Sequence, residues 1–333
     1  MTKSPMPIDT HIRFPGSTRG VTLEGTLTLP DRDAPSTVVL LLSGSGPQDR
    51  DQTVAGQATF RALRFRLAEA GHAAASWDDR GVGGSTGGFQ ESTSDELVAD
   101  VRCCLEYLRA HLSPLPRVVL LGHSQGALIA ARATVENAGV VRGLALIAGA
   151  GRPGLDVLVD QHRRICQAEG WSDEEAEGLL AFKLRCFRVL ETYPERLDAD
   201  QRTKLEAALE DIAVDHFGVE GPVAEIVEDL LEWEWRFILR MAPAEILAAV
   251  PVPTCLCIGS KDTQVNPRKD LDGALHALRS GRCPRIDVLD APGLNHLFQR
   301  AGTGGLDEYE DLGEPFDPLV TDQLAAWLAR IVE

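Results

Sequence analysis

The hydrophobic positions of the chain follow two alternating patterns, one typical of buried strands and the other of helices. Continuous apolar runs predict strands covered on both faces, at residues 37–42, 118–121 and 144–147. Helical spacing is present at residues 59–70, which Gly71 ends, and at residues 95–111. This alternation predicts an α/β fold with a mostly parallel central sheet flanked by helices.

The strand pattern is interrupted in the second half of the chain. Between residues 151 and 250 only amphipathic helical stretches are found, and strand patterns resume at residues 254–258 and 286–289. We therefore expect residues 1–150 and 251–333 to form one α/β core. Residues 151–250 are expected to form a helical cap inserted into that core.

Composition and charge exclude several classes of partner. The formal net charge of −17 makes nucleic acid and an anionic membrane unsuitable partners, because both bind basic surfaces. The seven cysteines are spaced too irregularly for a disulfide framework, which favours a reducing cytoplasm. No apolar run is long enough for a signal peptide or a membrane span. The sequence predicts a cytoplasmic protein and leaves its oligomeric state open.

One pentapeptide carries the strongest chemical signal. Gly122-His-Ser-Gln-Gly126 lies between an apolar strand pattern and an alanine-rich helical pattern. This is the context of the nucleophile elbow of α/β-hydrolases, in which glycines permit a strained turn that exposes the serine hydroxyl. We predict Ser124 as the nucleophile, with Gly122 and Gly126 as the elbow glycines. The alternative is a structural turn with an incidental serine.

A serine nucleophile needs a base and a carboxylate that orients the base. Among eight histidines, His296 has the most suitable place, just beyond the last predicted strand, and His123 is expected to point away from Ser124. Asp262 follows a buried strand and lies between serine and histidine in chain order. Asp290 and Asp156 are the alternatives for the acid.

An acyl-transfer site also needs two N–H donors for the oxyanion of its intermediate. We expect one from the backbone of Gln125 and the other from the glycine-rich loop at residues 43–46, with Ser45 in the donor position. That loop lacks the lysine and the glycine spacing of a phosphate-binding loop. The predicted chemistry needs no metal and no organic cofactor.

A charged turn follows the strand pattern at residues 73–77. It reads Asp78-Asp-Arg-Gly81, and its arginine has two possible roles. Arg80 can bind an anionic substrate, or it can form an ion pair with an aspartate of the turn that braces the elbow and the oxyanion loop. We favour the second role and predict Asp79 and Arg80 as structural support.

Five motifs occur together in a fixed order, at residues 43–51, 78–87, 122–126, 259–265 and 294–299. In this combination the chain resembles the bacterial α/β-hydrolases with an S-G-S-G-P-x-D-R-D signature, which include EstD-like carboxylesterases. The resemblance implies an esterase for small acyl esters, with Ser124, Asp262 and His296 in the triad positions. The chain departs from that family at Gln52, where a glycine is usual, and at residues 232–240, where a tyrosine–aspartate–proline segment is expected.

Together these features predict a serine hydrolase that cleaves a small-molecule carboxylic ester through an acyl-enzyme. A thioesterase, a lactonase or an acyltransferase or cyclase with the same triad is the first alternative, because the fold does not fix the reaction. A non-catalytic protein that binds a small molecule is the second. Four aromatic residues of the insertion either line the substrate pocket or form the core of the cap: Phe182, Phe187, Trp233 and Trp235.

Overall fold

The computed structural model describes residues 6–31, 35–114 and 116–332. Its strands are β1 (Ile8–Pro15), β2 (Thr22–Leu29), β3 (Thr37–Leu42), β4 (Thr53–Val54), β5 (Gln57–Ala58), β6 (Ala73–Trp77), β7 (Arg117–His123), β8 (Val141–Ile147), β9 (Thr254–Cys257) and β10 (Ile286–Val288). Eight of them form one sheet in the order β1-β2-β6-β3-β7-β8-β9-β10, and β4 and β5 form a small hairpin. In this sheet the pairs β6–β3, β3–β7, β7–β8, β8–β9 and β9–β10 are parallel, whereas β1–β2 and β2–β6 are antiparallel.

The helices of the described residues are α1 (Thr59–Glu69), α2 (Ser94–His111), α3 (Gln125–Glu136), α4 (Gly154–Ala168), α5 (Asp173–Leu190), α6 (Ala199–Phe217), α7 (Val223–Leu230), α8 (Trp233–Arg240), α9 (Pro243–Ala248), α10 (Lys269–Ser280) and α11 (Pro318–Val332). The helices predicted at residues 59–70 and 95–111 correspond to α1 and α2. None of the helices described here is long and apolar enough to cross a bilayer.

The sheet is buried between two hydrophobic layers, which explains the continuous apolar strands. Along β3, Val38 and Leu40 belong to the core on the side of α2 and α3. Val39 and Leu41 belong to the core on the side of α1 and α11. Successive side chains of a strand point to opposite faces, so a strand covered on both faces needs apolar residues throughout. The predicted α/β-hydrolase fold with a mostly parallel sheet is confirmed.

The first strand, β1, is missing from the sequence prediction. It forms the edge of the sheet, and among the strands that the structure describes it pairs only with β2. Ile12 and Phe14 are its only fully buried residues, because its other positions face solvent. An edge strand with so few buried positions leaves a weak hydrophobic pattern.

Helices α4 to α9 occupy the segment between β8 and β9, all of which the structure describes. Most of their apolar side chains form a separate hydrophobic cluster, which includes Phe187 and Leu209. Helices α8 and α9 differ, because Trp233 and Phe237 of α8 and Leu247 of α9 belong to the sheet core on the side of α2 and α3. On the other side of α8, Trp235 and Leu239 pack into the cluster of the insertion. One helix therefore joins the two cores.

Candidate active site

Ser124 lies in the turn between β7 and α3 with φ 54° and ψ −121°. Residues other than glycine rarely adopt a positive φ, so the backbone of this turn is strained. The flanking glycines make this turn possible because neighbouring backbone atoms approach them too closely for a side chain. A Cβ on Gly122 would lie 2.1 Å from the Gly126 carbonyl oxygen, and one on Gly126 would lie 2.2 Å from that of Ser43. The Ser124 N–H donates to the Ile147 carbonyl oxygen at 3.0 Å, which fixes the turn to β8.

Asp262 and His296 are joined directly. His296 Nδ1 lies 2.9 Å from Asp262 Oδ2, and both side chains are buried. The other carboxylate oxygen, Oδ1, accepts the backbone N–H groups of Gln264 and Val265, each at 2.8 Å. Because all three bonds are to one buried carboxylate, its orientation toward the imidazole is fixed. Asp290 lies elsewhere, where its backbone bonds the Gln323 side chain.

Ser124 opens onto a cavity of about 70 Å³. The apolar and amide side chains of its wall come from α3, the loop after β8, α4, the C-terminal end of α8 and the loop after β9. They are Leu128, Ala150, Val157, Leu158, Gln161, Ile238, Met241, Gln264 and Val265. Ser45 and Gln125 complete the lining, and within the described residues no charged side chain belongs to it. The Ser124 hydroxyl makes no hydrogen bond to His296 among the bonds of those residues, and such contacts often tighten only when substrate is bound.

The loop after β3 presents three consecutive backbone N–H groups. That of Gly44 donates to Gln52 Oε1 at 2.9 Å, and that of Gly46 donates to Glu234 Oε1 at 2.8 Å. In the described parts of the chain, the N–H groups of Ser45 and Gln125 have no acceptor. Both belong to residues that line the cavity at Ser124. Two unused donors therefore lie beside the serine.

The charged turn after β6 differs from the sequence prediction in its pairing. Arg80 binds Asp100 of α2, with Nε at 2.7 Å from Oδ2, and not an aspartate of its own turn. Asp78 pairs instead with Arg50. The expected ion pair was wrong because Arg80 extends from the turn to the neighbouring helix. Ion pairs between separate elements leave no local sequence signal.

Asp79 nevertheless contacts the loop after β3. Its Oδ2 accepts the Gln48 N–H at 2.9 Å, and the Ser43 hydroxyl lies 3.4 Å from the same oxygen. Complete burial raises the pKa of Asp79 to about 8, and the nearby carboxyl of Glu234 adds to this rise. Asp79 is therefore mostly protonated at pH 7 and supports the loop as a neutral acid.

Glu234 is a second buried carboxyl next to the site, and sequence analysis did not single it out. Burial raises the pKa of Glu234 to about 7, against the lowering effects of the Gly46 N–H and the Gln125 side-chain amide. That amide lies close to Glu234, yet neither its nitrogen nor its oxygen has a hydrogen-bond partner of good geometry among the described residues. Only the tertiary fold brings α8 to this loop.

The aromatic residues of the insertion lie away from Ser124. Trp233 packs against Phe89, with ring centroids 5.6 Å apart. Phe187 and Trp235 stack on each other at 5.7 Å, and with Phe182 they line a separate cavity of about 330 Å³ within the insertion. None of the four belongs to the lining of the cavity at Ser124, among the residues that the structure describes. They serve as core residues and as walls of that separate cavity.

Comparison with known sequences links the chain to hydrolases. The Hydrolase_4 family model, described as serine aminopeptidase, S33, matches residues 57–296. Esterase EstD from Thermotoga maritima is 26% identical over 309 residues, which are 92% of this chain and 66% of EstD. The chain thus spans just under two thirds of the length of this relative.

Comparison with solved structures agrees on the fold. The Pyrococcus furiosus esterase Pf2001 has a TM-score of 0.58 at 13% identity, over 98% of this chain and 92% of the esterase. The proline iminopeptidase of Mycobacterium smegmatis also has a TM-score of 0.58, at 15% identity, over 97% of this chain and 99% of the peptidase. An esterase and a peptidase are equally similar, so these structures support the α/β-hydrolase fold and do not decide the substrate.

Proposed function

The chain belongs to the Hydrolase_4 family, described as serine aminopeptidase, S33, and we propose that this member is a serine hydrolase of carboxylic esters. Ser124 is the nucleophile, His296 the general base and Asp262 the carboxylate that orients it. Residues 151–250 act as the cap over the site. The observation that carries the proposal is that Ser124 and two residues with unused backbone N–H groups line the same cavity.

The reaction proceeds in two steps. His296 Nε2 takes the hydroxyl proton of Ser124 while Oγ attacks the ester carbonyl carbon, and the N–H groups of Ser45 and Gln125 bind the oxyanion. Asp262 stabilises the imidazolium that forms. The imidazolium then protonates the leaving alcohol, and an acyl-serine remains. Water, deprotonated by His296, attacks the acyl group, and the acid leaves as Ser124 regains its proton.

The cavity favours an ester over a peptide with a free N-terminus. An aminopeptidase substrate carries an ammonium group, which a carboxylate in the site would bind. The lining at Ser124, as far as the chain is described, consists of apolar, hydroxyl and amide side chains. Its volume of about 70 Å³ suits a short acyl group. A neutral ester of a short-chain acid is the substrate class that matches this site.

Hydrolysis of p-nitrophenyl acetate tests the proposal. Ser124→Ala should lower kcat/KM by at least about 10⁴-fold, because the nucleophile is lost. Ser280→Ala, at the end of α10, is the matched control, since it removes an exposed serine hydroxyl that does not belong to the cavity lining; its activity should stay near that of the wild type. Near-normal hydrolysis by Ser124→Ala, or failure of a fluorophosphonate probe to label Ser124, would overturn the proposal. An aminoacyl p-nitroanilide should be cleaved poorly.

A further inference from the structure

The oxyanion loop is held by one side chain on each side of Ser45. Gln52 Oε1 accepts the N–H of Gly44 at 2.9 Å, and Glu234 Oε1 accepts that of Gly46 at 2.8 Å. The Ser45 N–H lies between these two anchored groups. Each peptide unit is planar, so when the two flanking units are held, the central N–H can turn only through the dihedral angles of Gly44 and Ser45, which restricts its direction.

The position of the Gln52 amide is fixed by its own contacts. Gln52 is buried, and its Nε2 donates to Thr59 Oγ1 at 3.1 Å. The Thr59 hydroxyl in turn donates its hydrogen to the backbone carbonyl oxygen of Gln52, with 3.0 Å between the two oxygens. Thr59 Oγ1 can therefore only accept from the amide, which leaves Oε1 to face Gly44. Gln52 has a φ of 46°, a backbone conformation that is strained for any residue other than glycine.

Glu234 reaches the loop from a distant part of the chain. It is 188 positions from Gly46 in sequence, and it lies in the first turn of α8. Its neighbour Trp233 is buried against Phe89, which fixes this end of α8 to the sheet core. The hydrogen bond to Gly46 is therefore a direct link between the insertion and the loop after β3.

We propose that Gln52 and Glu234 are positioning residues that together aim the Ser45 N–H at the oxyanion. The proposal rests on the proposed function and adds that the helical insertion takes part in building the oxyanion hole. Among the described residues, neither side chain belongs to the lining of the cavity at Ser124. Loss of either anchor should weaken binding of the transition state and leave binding of the substrate unchanged.

Gln52→Gly is the sharpest test at the first anchor. Glycine accepts the positive φ without strain, so the relief offsets part of the lost hydrogen bonding and the melting temperature should change little. We expect kcat for p-nitrophenyl acetate to fall about 10- to 100-fold with KM unchanged, because a misdirected donor costs somewhat less than a deleted one. Ala55→Gly is the matched control: Ala55 has a φ of 49° in the nearby β4–β5 turn. It should keep full kcat.

Glu234→Gln and Glu234→Leu form the pair for the second anchor. The amide oxygen of glutamine accepts the Gly46 N–H as the carboxylate does, so Glu234→Gln should keep kcat within about threefold. Leucine fills the same space without an acceptor, and kcat should fall about 10-fold or more with KM unchanged. Affinity for a boronic acid, which forms a tetrahedral adduct on serine, should fall in parallel with kcat.

Two results would overturn the positioning role. One is an unchanged kcat in both Gln52→Gly and Glu234→Leu. The other is a loss of melting temperature with full kcat in the folded fraction, which a purely structural role would produce. Failure of the proposed function is recognised separately, because Ser124→Ala would then hydrolyse the ester like the wild type.

Discussion

His123 Nε2 donates a hydrogen bond to the backbone carbonyl oxygen of His296, across 2.9 Å. A carbonyl oxygen only accepts, so His123 carries its proton on Nε2. Burial lowers the pKa of His123 to about 3, and the neighbouring His296 ring contributes to the lowering. His123 is therefore neutral at pH 7, and it is a fixed donor that holds the backbone of the proposed base.

Replacing His123 with phenylalanine should keep the ring and delete the donor. The buried carbonyl of His296 then loses its partner, which costs about 1–3 kcal/mol of unfolding free energy. We also expect kcat for p-nitrophenyl acetate to fall about 10-fold, because a less fixed base is misaligned. His276→Phe, at an exposed position of α10, is the control and should change neither quantity. Full stability and activity of His123→Phe would contradict this role.

The strained turn at Ser124 predicts a trade-off between stability and activity. Ser124→Gly and Ser124→Ala both lack the nucleophile, but only glycine adopts a φ of 54° freely. Ser124→Gly should therefore be more stable than Ser124→Ala, by about 1 kcal/mol in urea unfolding. Ala181→Gly, within α5, is the control. It should lower the free energy of unfolding by about 1 kcal/mol, because glycine is unfavourable inside a helix. Equal stability of the two Ser124 variants would mean that the turn stores no strain.

The Arg80–Asp100 pair should matter far more than an exposed pair. Its side chains are only 4% and 2% exposed, so Asp100→Asn leaves a buried guanidinium with only the Glu96 carboxylate, 3.3 Å from Nη1, as a counter-charge. We expect a loss of about 3 kcal/mol in unfolding free energy. Glu177→Gln breaks the pair with Arg163, in which both side chains are 54% exposed. The loss in Glu177→Gln should stay below about 1 kcal/mol. Equal losses in Asp100→Asn and Glu177→Gln would contradict the greater importance of the buried pair.

The buried acid Asp79 predicts a stability that falls as pH rises. Its folded pKa of about 8 lies above the usual range, so the folded state holds a proton that the unfolded chain has already released. Its contribution to stability is therefore complete below about pH 4 and is lost as pH rises toward 8. Asp79→Asn should flatten this decline by at least about 1 kcal/mol between pH 5 and 8, measured by urea unfolding.

Asp78 is the matched control for the pH experiment. Burial acts to raise the pKa of Asp78, but the Arg50 guanidinium and backbone N–H donors lower it below its usual value. Asp78→Asn should therefore destabilise the protein at pH 7. A stability profile that Asp79→Asn leaves unchanged would show that Asp79 is ionised in the folded protein.

The sheet could be predicted because burial on both faces leaves a local pattern. Every residue of β3 is apolar or a buried threonine, and the run is visible without knowledge of its neighbours. Gly71 likewise marked the end of α1 within two residues. The edge strand β1 was missed because most of its side chains are exposed.

The candidate site could be predicted only where chemistry follows a strand end. Ser124, Asp262 and His296 each lie in a short motif just after a predicted strand, and parallel strands bring their carboxyl ends to one edge. Glu234 and the Arg80–Asp100 pair depend on packing between distant elements, which no local pattern records. Gln52 did leave a signal in the sequence. The resembling family usually has glycine at this turn, and a different residue there indicates that its side chain makes specific contacts.

Helix α8, buried on both faces, limits how the pocket can change. Replacing Trp233 or Phe237 disturbs the sheet core, and replacing Trp235 or Leu239 disturbs the insertion. Glu234 adds a link to the loop after β3. A wider or more polar acyl site is therefore reached more readily through α4, whose Val157 and Gln161 also line the cavity. The preference of the proposed esterase for its acyl group can therefore change through the residues of α4, while the residues of α8 are held by the stability of the fold.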